Sequence, residues 1–175
     1  MKKTVLTFGL ISGAVSAVTM LATIPFADRI GWKNGEILGY TAIVLSALLV
    51  FFGVRSYREN AGGGRLTFGR GFAVGILITL ISCACYVGTW EIVYYKFMPD
   101  FAEKYAAHMV ENAKASGASQ QKIDETERKA KEFKHMYDNP LFNVAITFTE
   151  VFPIGLVVTL LSAGILKKKG PAPAN

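Results

Sequence analysis

The stretch LFNVAITFTEVFPIGLVVTLLSAGIL, residues 141–166, carries one charged side chain, Glu150, in a run that is otherwise apolar or weakly polar. About 20 such residues are needed for an α-helix to cross roughly 30 Å of hydrocarbon. Three further stretches have the same character, and charges, glycine or proline separate each from the next. The predicted spans are therefore residues 4–24, 37–54, 71–95 and 141–166.

Composition is typical of a small membrane protein. Of the 175 residues, 51% are hydrophobic, and the mean hydropathy is +0.34. We expect an all-α fold, a four-helix transmembrane bundle that makes residues 1–175 a single membrane domain. The net charge of +6 requires no nucleic acid partner, because the excess of basic residues lies beside the spans on one side, where topology and anionic headgroups account for it.

The distribution of lysine and arginine predicts the orientation of the spans, since cytoplasmic loops carry an excess of both. If all four segments cross, one side holds nine basic residues. We therefore expect a protein of the bacterial inner membrane with both termini in the cytoplasm. The opposite side holds a short loop with Arg29 and Lys33 and a longer loop, residues 96–140, in which acidic and basic residues are nearly balanced. The nine are Lys2, Lys3, Arg55, Arg58, Arg65, Arg70, Lys167, Lys168 and Lys169.

A secretory signal is an alternative interpretation of the N-terminus. Lys2 and Lys3 precede an apolar run, and Val-Ser-Ala at residues 15–17 resembles a cleavage site with small residues. The run continues to Ile24, however, which is longer than the apolar part of a typical signal. This length favours a retained span.

The longer loop predicts an extramembrane helical hairpin between spans three and four. Phe101, Tyr105 and Met109 recur every four residues and form one apolar stripe. Gly117 suits a left-handed helix end, and a second helix is expected over residues 119–137. Either the charged faces of this hairpin are simply solvated, or the hairpin is a cap that binds a partner.

Small residues at four-residue spacing predict close helix packing. Lipid provides no hydrophobic drive for helix association, so small residues that let backbones approach are common between transmembrane helices. These stripes serve the bundle itself or leave one face for a homodimer or another membrane protein. The glycines concerned are Gly9, Gly13, Gly71, Gly75 and Gly155.

Several motifs resemble those of the bacterial domain-of-unknown-function family 4199, and together they cover nearly the whole chain. The resemblance implies an integral membrane protein with four spans and an outer insertion, and it implies no activity. The motifs are FFGVRSYR at 51–58, GGRLTFGRGF at 63–72, PDF at 99–101 followed by Lys104 and Tyr105, NPLF at 139–142 and TFTEVFPIGL at 147–156.

Glu91 and Glu150 are acids within predicted spans. An acid at the centre of a span costs about 2.5–3.5 kcal/mol on insertion scales, so such residues usually face the bundle interior or a water-filled cavity. Spans three and four are antiparallel, which puts both acids in the outer half. The candidate polar site in that layer comprises Glu91, Glu150, Tyr40, Tyr86, Trp90, Asn143, Thr147 and Pro153.

Two interpretations of this site remain open. In the first, a neutral Glu150 donates a hydrogen bond to a neighbouring helix, and Pro153 frees the carbonyl of Thr149 for another partner. In the second, the acids and hydroxyls form a proton or cation site, and Pro153 marks a flexible break in the helix.

The arginines between spans two and three predict contact with anionic lipid headgroups at the cytoplasmic face, worth about 1 kcal/mol per basic residue. The glycines at 62–64 lack the GKS/T ending of a phosphate loop, so we expect a flexible turn there. The arginines are Arg55, Arg58, Arg65 and Arg70.

We expect no enzyme, no metal and no cofactor. His108 and His135 are isolated, and Cys83 and Cys85 point to different sides of a helix. The expected function is that of an accessory or structural membrane component acting through association with protein or lipid. The alternative is a small proton- or cation-coupled carrier or channel subunit that uses Glu91 and Glu150.

Overall fold

The computed structural model describes residues 1–168, apart from the side chain of Asp28, so Lys169 of the predicted basic group lies outside the described residues. Within these residues the fold is all-α and contains no β-strand, as predicted. A 3-10 turn, Ile24–Phe26, separates the first two helices. The six helices are α1 Lys2–Thr23, α2 Ala27–Asn60, α3 Phe68–Lys96, α4 Phe101–Ala115, α5 Gln120–Tyr137 and α6 Pro140–Leu166.

Four of the helices are long and apolar enough to cross a membrane, which confirms the prediction of four spans. Their membrane-compatible segments are Lys2–Phe26, Arg29–Asn60, Phe68–Lys96 and Pro140–Leu166. Three of these begin and end within a few residues of the predicted spans, because charged or helix-breaking residues bound the apolar runs sharply.

The second helix differs from the prediction, because the short loop expected around Arg29 and Lys33 is helical. The range of α2, Ala27–Asn60, consists of two helical segments that meet at a kink at Gly31, which has φ 70° and ψ 168°. Glycine adopts a positive φ at little steric cost because it has no Cβ. Hydropathy identifies the apolar part of a helix, whereas backbone hydrogen bonding continues into the polar residues beside it.

The ends of α4 and α5 follow the local sequence. Gly117 has φ 71° just after α4, which is the left-handed conformation predicted there. The hydroxyl of Ser119 then caps α5 by accepting a hydrogen bond from the backbone N–H of Lys122 at 3.4 Å.

The chain forms two compact units. The bundle unit comprises Met1–Thr89 and the residues from Phe148 onward, and the paired-helix unit comprises Trp90–Thr147. Helices α3 and α6 therefore contribute residues to both units.

In the bundle unit, α3 and α6 run antiparallel and approach closely. A Cβ built on Gly75 would lie 2.8 Å from Thr159 Cγ2, and a Cβ on Gly71 would lie 3.3 Å from the Cα of Ala163. As α3 advances, its contacts move back along α6. One core cluster joins all four long helices through Val5, Val50, Val54, Tyr57, Leu66, Val74, Ile78 and Leu166.

In the paired-helix unit, α4 and α5 lie antiparallel. Ion pairs tie both ends of the two helices, Lys134 to Glu103 at 2.8 Å and Lys114 to Glu127 at 3.2 Å. At the end where α4 begins and α5 finishes lies a core of aromatic rings and Ala102, to which α3 and α6 also contribute rings. The core consists of Tyr94, Ala102 and Tyr137, packed against Trp90, Phe101, Phe133 and Phe142.

Candidate functional site

A network of buried serine hydroxyls joins α1, α2 and α3 inside the bundle unit. Ser12 Oγ donates to the backbone carbonyl of Ser46 at 2.7 Å, and Ser16 Oγ donates to Ser46 Oγ at 2.7 Å. The Oγ atoms of Ser12 and Ser82 lie 2.9 Å apart. Since the single hydroxyl hydrogen of Ser12 goes to the carbonyl, Ser82 must donate in that pair.

A second hydroxyl pair joins α3 to α6. Thr79 Oγ1 lies 3.0 Å from Thr159 Oγ1 and donates to the carbonyl of Gly155 at 3.4 Å. Gly155 permits this contact, because a Cβ there would collide with the Thr79 side chain.

The space left among these hydroxyls is small. A cavity of about 10 Å³ lies among residues that include Ser16, Ser46 and Thr79. A water molecule needs roughly 10–15 Å³. The polar interior of the bundle unit is therefore filled by contacts between helices, with room for about one water.

The glycines predicted to mediate packing all lie against other helices of the bundle unit. A Cβ on Gly9 would lie 2.8 Å from Ile81, and one on Gly13 would lie 2.5 Å from Cys85 Cβ. Gly71, Gly75 and Gly155 lie against α6 or α3 in the contacts described above.

Glu150 lies on the surface of the bundle unit rather than in its interior. A hydrogen bond joins its side chain to that of Tyr40 on α2, which is 43% exposed. At 1.5 Å per residue, Glu150 lies about 15 Å along α6 from Pro140. The structure thus brings two of the predicted site residues together on an outward face of two spans.

Two other members of the predicted site lie in the same unit, one packed and one exposed. Tyr86 packs against a buried cluster of Ile43, Cys83 and Val151. Pro153 lies inside α6, which continues as one helix on both sides of it.

Three of the remaining predicted site residues, Trp90, Asn143 and Thr147, meet in the paired-helix unit, which also contains Glu91. The indole N–H of Trp90 donates to the Tyr137 hydroxyl at 2.8 Å and to Asn143 Oδ1 at 3.2 Å. Thr147 Oγ1 also donates to Asn143 Oδ1, at 3.3 Å. Asn143 is 0% exposed, so two donors fix the orientation of a fully buried amide.

Two enclosed polar atoms in this unit have no hydrogen-bond partner among the described residues, Asn143 Nδ2 and Glu91 Oε1. Leaving a buried donor or acceptor unsatisfied costs about 1–3 kcal/mol. One atom is a donor and the other an acceptor, so a water molecule or a small polar solute suits either.

Several exposed charges of the paired-helix unit form ion pairs, and pairing shifts their pKa values. The hydrogen bond to Lys104 lowers the pKa of Asp100, and hydrogen bonds to Lys129 and Lys122 lower that of Glu125. The hydrogen bond to Glu103 raises the pKa of Lys134.

The arginines predicted to contact lipid fall into two groups. Glu59 Oε1 accepts from Arg55 Nε at 3.0 Å and from Arg58 Nη2 at 3.3 Å. Arg65 and Arg70 are exposed and have no ion-pair partner in the part of the chain that the structure describes.

Sequence reasoning did not identify the serine network. Its only local signal was the four-residue spacing of Ser12 and Ser16, which places two hydroxyls on one face of an apolar helix. Their partners Ser46 and Ser82 lie on other helices and could not be assigned from spacing.

Among known proteins, the chain matches one family model. No curated protein and no solved structure matches the chain. Residues 7–168 match the family described as "Protein of unknown function (DUF4199)". Because the match covers nearly the whole chain, as the resemblance of its motifs predicted, this membrane protein belongs to the DUF4199 family.

Proposed function

We propose that this protein is a noncatalytic membrane component that acts by association, and that a second transmembrane helix docks where Glu150 and Tyr40 are exposed. The observation that carries the proposal is the outward position of Glu150 in the middle of α6. An acid that faces lipid is costly, at about 2.5–3.5 kcal/mol. A helix that covers this face and offers a hydrogen-bonding side chain offsets part of that cost.

The chemistry of the Glu150 face suits such a partner. One hydrogen bond to Tyr40 leaves carboxyl lone pairs available, since a carboxyl group has about four acceptor positions. Hydrogen bonds between transmembrane helices contribute about 0.6–2 kcal/mol each. The partner is either another membrane protein or a second copy of this chain.

The interior of the bundle unit supports association over transport. Its hydroxyls are bonded from helix to helix, and the cavity of about 10 Å³ has the size of one water. A hydrated ion is larger than this cavity, so the cavity does not hold one in this arrangement of the helices.

The proposal places the protein in the bacterial inner membrane with both termini in the cytoplasm and the α4–α5 pair on the opposite side. Its support is the clustering of Lys2, Lys3, Arg55, Arg58, Arg65, Arg70, Lys167 and Lys168 at helix ends that the core cluster around Leu66 brings together. On that opposite side, α4 and α5 form the extramembrane contact with the partner.

A photoreactive side chain in place of Val157 tests the proposal. Val157 is 54% exposed and lies two turns from Glu150 on the same face of α6. We expect one discrete protein adduct in native membranes, and it should diminish when Glu150→Leu is added but persist with Glu150→Gln. The matched control is the same probe at Leu10 on α1, which is 55% exposed. Equal adducts at both positions, or none at Val157, would refute docking at this face.

A second candidate function is a small proton- or cation-coupled carrier or channel subunit that uses Glu91 and Glu150. It is favoured by Glu91 Oε1 and Asn143 Nδ2, the two enclosed atoms without partners. Proteoliposomes with an imposed proton or sodium gradient distinguish the two functions. A carrier loses flux with Glu91→Gln or Glu150→Gln while it remains inserted, whereas an accessory protein gives no flux in either form.

A further inference from the structure

We infer that the bundle unit binds a phospholipid with an anionic phosphodiester headgroup at Arg65, Arg70 and Lys167, beside the exposed ring of Phe68. This site is independent of the docking face around Glu150. It is also narrower than the set of four arginines that the sequence predicted, because the structure separates those arginines into paired and unpaired groups.

The basic side chains lie at ends of helices that converge. Residues near the start of α1, the end of α2, the start of α3 and the end of α6 pack in one core cluster, which includes Val5, Val54, Leu66 and Leu166. Eight described lysines and arginines flank these residues, against one acid, Glu59. Such a surface attracts the anionic leaflet at about 1 kcal/mol per basic residue.

Glu59 forms ion pairs with two of the basic side chains of this surface. Its Oε1 accepts from both Arg55 and Arg58, at 3.0 and 3.3 Å, so these two guanidinium groups share one carboxylate. Arg65, Arg70 and Lys167 are exposed and have no ion pair within residues 1–168. Within the described residues the unpaired positive charge of this surface therefore lies at the start of α1, the start of α3 and the end of α6, and only α3 and α6 carry it beside the bridged Leu66 loop.

The loop that carries Arg65 is ordered by backbone hydrogen bonds. The N–H of Gly64 donates to the carbonyl of Arg58 at 2.9 Å, and Gly63 and Gly64 have φ values of 57° and 77°. A side chain at Gly62 would collide with the carbonyl of Arg65. The glycines thus form a tight, hydrogen-bonded turn, where the sequence predicted a flexible one.

A bridge fixes the other end of this loop to the end of α6. The N–H of Leu66 donates to Lys168 at 3.1 Å, and the N–H of Lys168 donates to Leu66 at 2.9 Å. In an antiparallel bridge the flanking residues also lie opposite each other, so Thr67 faces Lys167. Arg65 precedes Leu66 and Lys167 precedes Lys168, so each lies one residue from a bridged residue and on a segment that is ordered before any ligand arrives, which lowers the entropic cost of binding.

An exposed apolar side chain lies between the arginines. Phe68 is 46% exposed, and its ring stacks on Phe72 with centroids 6.4 Å apart. A phospholipid can place its phosphodiester on the guanidinium groups and an acyl chain against this ring. It then contacts both the charged and the apolar part of the surface. A free phosphate satisfies only the charges, so the surface fits a phospholipid better than an inorganic anion.

Lipid retention by the full-length protein tests the site. The protein, purified in mild detergent, is mixed with phosphatidylglycerol or phosphatidylcholine, and bound lipid is counted by native mass spectrometry. We expect phosphatidylglycerol to bind preferentially, and Arg65→Gln to weaken it about fivefold, with roughly 30-fold weakening for Arg65→Gln with Arg70→Gln. Arg55→Gln is the matched control, since it removes the same charge from the same end but leaves Arg58 to pair with Glu59. It should change binding less than about twofold.

Three outcomes would overturn the inference. Equal weakening by Arg55→Gln and Arg65→Gln would leave only a diffuse basic surface. Displacement of the lipid by excess inorganic phosphate would identify a phosphate site instead. Unchanged lipid retention in Phe68→Ser would show that no acyl chain contacts Phe68. Arg65→Lys, which keeps the charge, and circular dichroism of every variant separate loss of binding from loss of fold.

Discussion

The bundle unit and the paired-helix unit hold helices together by different chemistry. In the bundle unit, glycines admit neighbouring helices, and serine and threonine hydroxyls bond across the gap. In the paired-helix unit, aromatic rings from α3, α4, α5 and α6 form the core, and ion pairs join α4 to α5. Lipid gives apolar side chains no reason to leave it, so close approach and hydrogen bonds must hold spans together. The charged residues of α4 and α5 add ion pairs to the packing of the rings, a contribution that the apolar faces of the bundle unit do not make.

The largest effect is expected from Tyr137→Ala, which removes the centre of the aromatic core. The Tyr137 ring lies 5.0 Å from that of Phe133 and 5.3 Å from that of Tyr94, and its hydroxyl accepts from Trp90. We expect a loss of about 3–5 kcal/mol in the free energy of unfolding of this unit. Hydrogen exchange localised to α4 and α5 measures it. Met136→Ala, at an exposed neighbour, is the control. Equal losses of unfolding free energy in both variants would show that the aromatic core does not stabilise the unit.

An opposite response to alanine at two glycines tests close packing in the bundle unit. Gly13→Ala puts a Cβ 2.5 Å from Cys85 Cβ and should destabilise the unit by about 1–3 kcal/mol. A Cβ at Gly88 meets nothing within 4 Å, so Gly88→Ala should stabilise α3 by about 0.5–1 kcal/mol. Thermal unfolding in detergent gives both values. A shift of stability in the same direction in both variants would contradict close packing at Gly13.

A smaller effect is expected from Ser46→Ala. This change removes the acceptor of the Ser16 hydroxyl at 2.7 Å but keeps the backbone carbonyl that Ser12 uses. We expect a loss of about 1 kcal/mol in unfolding free energy. Thr19→Ala removes an exposed hydroxyl bonded only to its own helix, at Val15, and should change little. If both variants cost the same, the hydroxyls contribute no contact between helices.

The smallest effect is the pH dependence of the α4–α5 pair. Hydrogen bonds to Lys129 and Lys122 hold the pKa of Glu125 below its ordinary value. A lowered folded-state pKa adds stability above the unfolded pKa, and this stability is lost as the pH falls through the folded pKa. Acid should therefore weaken the pair slightly, as hydrogen exchange at decreasing pH would detect. Glu125→Gln should reduce this acid sensitivity, and an unchanged profile would exclude Glu125 as its source.

Features set by local sequence were predictable. The spans follow from uninterrupted apolar runs, and the turn after α4 follows from Gly117, whose positive φ few other residues adopt. Ser119 begins α5 because its hydroxyl can accept from the first turn.

Features that depend on helix rotation were not predictable. An acid in a span was expected to face inward, but α6 turns Glu150 to the surface. Ser46 and Ser82 meet the hydroxyls of α1 only because three helices present their polar faces to a common axis. Helix geometry determines the angular spacing of residues around one helix. It does not determine how each helix is rotated relative to its neighbours.

The bridge between Leu66 and Lys168 also has a consequence for the order of events during synthesis. Leu66 emerges when two spans have been made, whereas Lys168 emerges only after the fourth is complete. Until then the backbone of the Leu66 loop lacks these two hydrogen bonds. The bridge therefore forms only after the fourth span has been made. The loop bearing Arg65 reaches its final arrangement only after translation has passed α6.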